Sequence, residues 1–321
     1  MIGKVTVDMA GAQMGGAARY AAELFDYLAR TERQNVQVIG AGRRVEPSWL
    51  VCREVAGYRP SRRVALNNVS FVMPGGPRWA LLRNALHFMT DAEASRISPT
   101  LLSSVRREAV IVRLAAQRAD VLVVPSGAMA ERVVNVMPRV SSRVVVRPHP
   151  VSANSMPRQN RDAAILCPIL FAPYKRMDEH IGDLLSALAE RGEQTVRVRL
   201  TAFPVDLPPG LALDPRLEFL GPVSQGDLRE FQARSQAIFF PTSLESFGYP
   251  LAEARVSGQP VIAQDTTQNR EIAGAALCGY AAGDAASLHR ALERALIADI
   301  APDPAPFDPD AYFDWILGSP S

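Results

Sequence analysis

Short apolar runs alternate along the chain with stretches whose apolar positions recur every three or four residues, a pattern that predicts strands and helices in turn. KVTVDMA (4–10) reads as a strand, the loop GAQMGG (11–16) follows, and AARYAAELFDYLAR (17–30) has helical period. NVQVIGAG (35–42) predicts a second strand ending in glycines. The stretch 43–80 is rich in Arg, Pro and Gly and shows no clear period, so no element is assigned there. WALLRNALHFMT (79–90) is apolar and contains His87 near its end. LLSSVRREAVIVRLAAQR (101–118) predicts a helix and ADVLVVPS (119–126) a buried strand. SGAMAERVVNVMP (126–138) predicts a helix capped by Ser126 and closed by Pro138. SRVVVRPHPV (142–151) ends the first half as a strand and a Pro-rich exit.

VSANSMPRQNRD (151–162) is polar and aperiodic, which predicts a linker. The alternation then restarts with strands at 163–172, 195–203, 237–243 and 260–265, and helices at 177–192, 225–236, 250–258 and 285–299. Each half is therefore predicted to be an α/β domain, a parallel doubly wound sheet with helices on both faces. The boundaries expected are 1–152 and 153–305. Two such Rossmann-like domains facing a cleft would bind ligands at the carboxyl ends of their strands.

Composition narrows the class. The chain has 321 residues, 48% hydrophobic and 21% charged, as in a soluble globular protein. No apolar run reaches the ~18 residues that span a bilayer. Cys52, Cys167 and Cys278 form neither a metal spacing nor a disulfide framework, which makes a reducing cytoplasm the expected compartment. Net charge is +2, but residues 1–150 hold 21 Lys and Arg against 11 Asp and Glu. Residues 151–321 hold 14 against 22. The basic first half fits a peripheral contact with an anionic membrane, an acidic acceptor, or a plain solvated face. Within it, LLSSVRREAVIVRLAAQR carries Arg106, Arg107, Arg113 and Arg118 on an apolar background, which suits either a surface amphipathic helix or an ordinary domain helix.

Four stretches could carry chemistry. In AIFFPTSLESFGYPLAEARVSG a buried strand leads through a turn into a helix that Pro250 opens. The first N–H groups of that helix lack partners within it, and its dipole is positive there. Gly248 allows close backbone approach, so the turn suits phosphate or sugar hydroxyls. Glu245 and Glu253 are acceptors placed around it, fit for paired hydroxyls or for dipole compensation on a surface helix. In FAPYKRMDEHI (171–181), Lys175 and Arg176 precede a helix N-terminus, where a cation opposes the dipole unless an anion binds. Gly11, Gly15 and Gly16 in the first loop permit approach to a diphosphate, or form a tight turn with no ligand. Neither the Gly-x-Gly-x-x-Gly fingerprint nor a P-loop is present, which disfavours dinucleotide binding and an NAD-linked oxidoreductase. His87 is either a general acid–base group or a satisfied core residue. No metal-ligand cluster and no G-x-S-x-G elbow are present in the sequence.

Together these stretches resemble the retaining glycosyltransferases of the two-Rossmann GT-B fold, specifically glycosyltransferase family 4. The family's Glu-x7-Glu motif stands here as Glu245-Ser-Phe247-Gly248-Tyr249-Pro250-Leu251-Ala-Glu253, followed by EARVSGQPVIA. FLGPVSQGDLREFQARSQAIFFPTS, NREIAG (269–274), GGAARYAAELFDYL and ADVLVVPSGAMAERV are also similar to family segments, and the resemblance covers nearly the whole chain. It implies transfer from a nucleotide-diphosphate sugar to a hydroxyl acceptor (glycan, lipid-linked or small molecule), without a metal or other cofactor and without nucleic acid. By resemblance, Glu253 would hold ribose hydroxyls and Glu245 would face the transferred sugar. Backbone around Phe247, Gly248, Tyr249, Pro250 and Leu251 would contact sugar and phosphate. Lys175 would neutralise the diphosphate, with Gly15 and Gly16 closing on it, and His87 would lie beside the sugar. The family usually places an Arg where Leu170 stands, and Arg176 is the cation next to Lys175 that would replace it. Its Asn-Gly at the domain exit is replaced by Pro148-His149-Pro150. AYFDWIL (311–317) resembles the final helix that crosses back, so 306–321 is expected with the first domain. A non-catalytic sugar-nucleotide binder or partner subunit is the alternative.

Overall fold

The structure, a computed structural model, describes residues 4–56, 62–95, 97–153, 162–168, 171–193 and 195–318. Most of the 151–162 linker, and Leu170, lie outside the described residues. The chain divides into two compact units. Unit 1 comprises Met1–Ser152, Leu244–Phe247 and Pro306–Ser321, and unit 2 comprises Ala153–Ser243 and Gly248–Ala305.

Unit 1 is built on a parallel six-stranded sheet of β1 (Val5–Asp8), β2 (Val36–Ile39), β3 (Arg62–Ala65), β4 (Arg78–Leu81), β5 (Val121–Val124) and β6 (Val144–Val146). The order is β2-β1-β3-β4-β5-β6. The direction in which successive strands are added reverses between β1 and β3, and such a reversal opens a crevice at the carboxyl ends of the flanking strands. The Gly15–Thr31 helix follows β1. It buries Tyr20, Leu24 and Tyr27 and meets the Pro309–Leu317 helix, where Tyr312 and Phe313 stand edge-on to Tyr20 at 5.8 and 5.7 Å. Arg30 pairs with Asp310 at 2.7 Å, and the Tyr27 hydroxyl donates to Asp314. The Pro99–Ala116 and Gly127–Val136 helices pack Val112, Ala115, Met129 and Val133 with Ala80, Leu82 and Leu122. Ser126 caps the second of them by accepting the Met129 N–H at 3.1 Å.

The unassigned stretch 43–80 contains the Pro47–Cys52 helix, β3 and β4. Hydrophobic period fails here because arginines are buried. Arg53 is 1% exposed. It donates to Asp8 at 2.6 Å and to the carbonyls of Val69 and Ser70, and lies 4.6 Å from the Phe71 ring. Arg63, within β3, is also buried, 3.6 Å from Glu54.

Unit 2 repeats the architecture. Its sheet consists of β7 (Asp162–Cys167), β8 (Arg197–Leu200), β9 (Leu217–Phe219), β10 (Ser235–Phe240), β11 (Val261–Gln264) and β12 (Leu277–Tyr280), in the order β12-β11-β10-β7-β8-β9, all parallel. The reversal falls between β7 and β10. Helices Met177–Glu190, Pro209–Ala212, Gln225–Arg234, Tyr249–Ser257 and Thr267–Ala273 lie in the crossovers, and the helix Ala285–Ile297 follows the last strand. Ser224, Thr266 and Asp284 cap three of these helices, Gln225–Arg234, Thr267–Ala273 and Ala285–Ile297, at their N-termini.

Candidate functional site

In unit 2 the site is positioned by the β7–β10 reversal. Phe240 ends β10, and the chain re-enters unit 2 at Gly248, which adopts φ +82°. A Cβ there would stand 2.9 Å from Leu251 and 3.2 Å from Phe240, so both backbone conformation and packing require glycine. Pro250 then opens the Tyr249–Ser257 helix, whose N-terminus has no side-chain cap. The Leu251 side chain is buried and its N–H donates to the Gly248 carbonyl. Tyr249 is buried, and Pro250 and Glu253 are half-buried. Gly258 closes the helix in the left-handed region.

From β7, Pro173–Lys175 forms a single tight turn, and the Lys175 N–H donates to the Ala172 carbonyl. The Lys175 ammonium lies close enough to Cys167, the last residue of β7, to oppose the burial that pushes its thiol far up. Lys175 thus stands over the carboxyl end of β7, next to the strand that feeds the Tyr249–Ser257 helix. Only two lysines occur among 35 Lys and Arg, the other being Lys4. A chain that otherwise supplies cations as arginine uses here a compact, rotatable ammonium, a signal the sequence carried. Arg176 is left-handed (φ +49°), precedes the Met177–Glu190 helix without a side-chain capping bond, and sends an exposed guanidinium to Glu179 at 2.6 Å.

In unit 1, Gly15 starts the first helix at φ +55° behind Met14, and Gly16 is its second residue. No side chain caps this N-terminus and its first turn holds no acid. The loop before it is tied down by Asp8, a buried carboxylate that accepts from Ala10 N–H (3.0 Å), Trp49 (3.1 Å), Asn67 (2.8 Å) and Arg53. Nothing in the sequence marks Asp8, since a strand-end aspartate looks ordinary until its partners 41 to 59 residues away fold against it.

Leu244–Phe247 belongs to unit 1, so Glu245 and Phe247 fall in one unit while Gly248 and Glu253 fall in the other. The Ser246 hydroxyl donates to the Arg83 carbonyl at 2.6 Å, and the Ser126 hydroxyl donates to the Ser246 carbonyl at 3.0 Å. Phe247 packs edge-on against His149 (5.0 Å) and Phe307 (6.0 Å). Half-buried Glu245 is therefore carried on a segment anchored just beyond the carboxyl ends of β4 and β5. His87 lies four residues past Arg83, on the Ala85–Phe88 turn. It is buried, with Nε2 3.3 Å from the Asn84 amide and 3.6 Å from Glu108.

Burial lowers the His87 pKa, against Glu108, which raises it. Burial and Arg83 hold His149 well below the ordinary value of 6.5. Both imidazoles take a proton less readily folded than unfolded. As pH falls below 6.5, the unfolded chain gains protons that the fold refuses, and stability drops; above 6.5 this contribution is flat. The slope is up to ~1.4 kcal/mol per pH unit for each histidine. Urea midpoints at about pH 7.5 and about pH 5.5 measure it, and His149→Phe, which keeps the edge-on ring, is expected to flatten it.

Two units, each built on a six-stranded parallel α/β sheet, are the elements of the fold seen in solved GT-B glycosyltransferases. Residues 210–303 match the family model for glycosyl transferases group 1. No curated protein matches the sequence. Among solved structures, WaaG, a glycosyltransferase involved in lipopolysaccharide biosynthesis, is 14% identical with a TM-score of 0.63, covering 98% of this chain and 100% of that one. A UDP-forming α,α-trehalose-phosphate synthase from Burkholderia xenovorans is 12% identical with a TM-score of 0.60, covering 99% and 95%. A variant of S. aureus TarM in complex with fondaparinux, α-GlcNAc-glycerol and UDP is 10% identical with a TM-score of 0.52 over 81% of this chain. The chain spans about half the length of TarM, 55% in that complex.

Proposed function

We propose that the protein is a retaining glycosyltransferase that moves a sugar from a nucleotide-diphosphate sugar to a hydroxyl acceptor without a metal. One observation carries this reading. Lys175 and the uncapped Tyr249–Ser257 helix follow the two strands that flank the unit 2 reversal. A cation and a helix N-terminus together stabilise a departing diphosphate. In the reaction, the acceptor oxygen bonds to the anomeric carbon as the bond from that carbon to the β-phosphate oxygen breaks. The electron pair leaves with the diphosphate, and the acceptor proton passes to the departing phosphate oxygen. Glu253 holds the ribose hydroxyls. Glu245 receives the sugar hydroxyls, Gly15 and Gly16 give backbone approach to the diphosphate, and neutral His87 serves the sugar side.

The trehalose-phosphate synthase neighbour is UDP-forming and TarM was captured with UDP, which makes UDP the first probe. UDP at saturating concentration is expected to raise the melting temperature. Glu253→Ala should weaken UDP binding about 10- to 100-fold, the value of one lost charge-assisted contact. Transfer from UDP-sugars that persists in EDTA, with the product anomer assigned by NMR, supports the full reading. A product of inverted anomeric configuration, or activity abolished by EDTA and restored by a divalent ion, sinks the mechanism. The pairing of Arg176 with Glu179 favours a second reading, a sugar-nucleotide binder without turnover. Nucleotide binding with neither transfer nor donor hydrolysis across a broad acceptor set would select it.

A further inference from the structure

The donor chemistry leaves the outer face of the Pro99–Ala116 helix unused. Its inner face places Val105, Ala109, Val112, Ala115 and Ala116 in the unit 1 core. A helix that covers a sheet ordinarily turns polar residues outward. Here Val110, Ile111 and Leu114 are 55%, 50% and 61% exposed, flanked by exposed Arg106, Arg107 and Arg118. A second exposed apolar group, Val51, Val55, Val72 and Met73, occupies the same layer. The connections from β2 through β6 step across the sheet in one direction, and right-handed crossovers place them all on one face. The packing agrees, since Leu50, Val69 and Val112 join one core cluster beneath.

Several carboxylates of this layer are engaged. Glu54 turns inward and accepts the Val72 and Met73 N–H groups at 3.0 and 3.1 Å. Asp120 pairs with Arg78 at 3.0 Å, and Glu108 reaches His87 at 3.6 Å. Exposed branched aliphatic side chains and exposed guanidiniums therefore share one surface, on the half of the chain with 21 basic against 11 acidic residues. No helix among the described residues is long and apolar enough to cross a membrane.

We propose that this face is a docking surface for an anionic lipid bilayer. The helix lies in the plane of the interface, with Val110, Ile111 and Leu114 entering the headgroup–acyl boundary and the arginines reaching lipid phosphates. The inference stands on unit 1 alone and does not depend on the donor reading. Co-sedimentation of the intact chain with phosphatidylcholine–phosphatidylglycerol vesicles tests it. The protein is expected to pellet with these at low salt, not with pure phosphatidylcholine, and to be released at high salt. Ile111→Asp with Leu114→Asp should abolish pelleting while leaving the melting temperature unchanged, because both side chains are solvated. Val205→Asp, at an exposed position of unit 2, should pellet like the parent. The proposal is overturned if the parent chain stays in the supernatant, or if the double variant pellets normally. It is equally overturned if the parent is a dimer in lipid-free solution that the double variant splits, which would make the face a contact with a second copy.

Discussion

Lys175→Ala lowers turnover about 10²- to 10³-fold, the cost of removing one preorganised charge from a developing anion. The loss falls mainly on kcat, because the ammonium acts most strongly on the charge that appears as the diphosphate departs. Stability should hold, since the side chain is half-buried and its turn is closed by the backbone bond to Ala172. Lys175→Arg is expected to recover part of the rate, as it keeps the charge but replaces a compact ammonium by a planar fork. Steady-state kinetics on the three proteins decide it. A Lys175→Ala rate within about threefold of the parent would remove the electrostatic basis of the proposed mechanism.

Asp8→Ala has the largest expected effect on stability. It leaves Arg53, 1% exposed, as a buried cation without its carboxylate, and leaves Trp49, Asn67 and the Ala10 N–H without their acceptor. Breaking one side of such a pair costs about 3–5 kcal/mol. For a domain of this size that is a fall of about 6–20 °C in melting temperature. Asp8→Asn combined with Arg53→Met should recover a share of the loss, because the unpaired charge is gone. Calorimetry on the single and double variants measures the coupling. If Asp8→Ala melts within about 3 °C of the parent, the cluster does not hold this end of the sheet.

Lys175 and Asp8 differ in how far along the chain their surroundings reach. Lys175 was legible because its surroundings are local. A strand end, a proline, a cation and a helix start lie within a few positions, and each has a short-range physical signature. The same holds for Ser126 as a cap, for Gly248 and Pro250 at a helix entrance, and for Gly258 at its exit. Asp8 and Arg53 were not legible. A buried arginine reads as a surface residue in any hydrophobicity pattern, and its burial depends on partners 14 to 45 residues away. That is why the helix at 47–52 and the strands β3 and β4 escaped assignment.

By itself, the sequence determined the alternation of strand and helix, two α/β halves, and the glycine- and proline-bearing turns at helix entrances. All of these follow from side-chain periodicity and backbone preference over a few residues. Strand order was a tertiary decision. β7 pairs with β10 rather than with β9, which sets Lys175 and the Tyr249–Ser257 helix on the two strands of one reversal. The seat of the Glu245 segment was another. Its strand and helix neighbours assign it to the second half, yet Ser246 binds Arg83 and Ser126, and Phe247 packs on His149 and Phe307. Non-local hydrogen bonds and ring contacts outweigh chain adjacency there, and no local pattern encodes them.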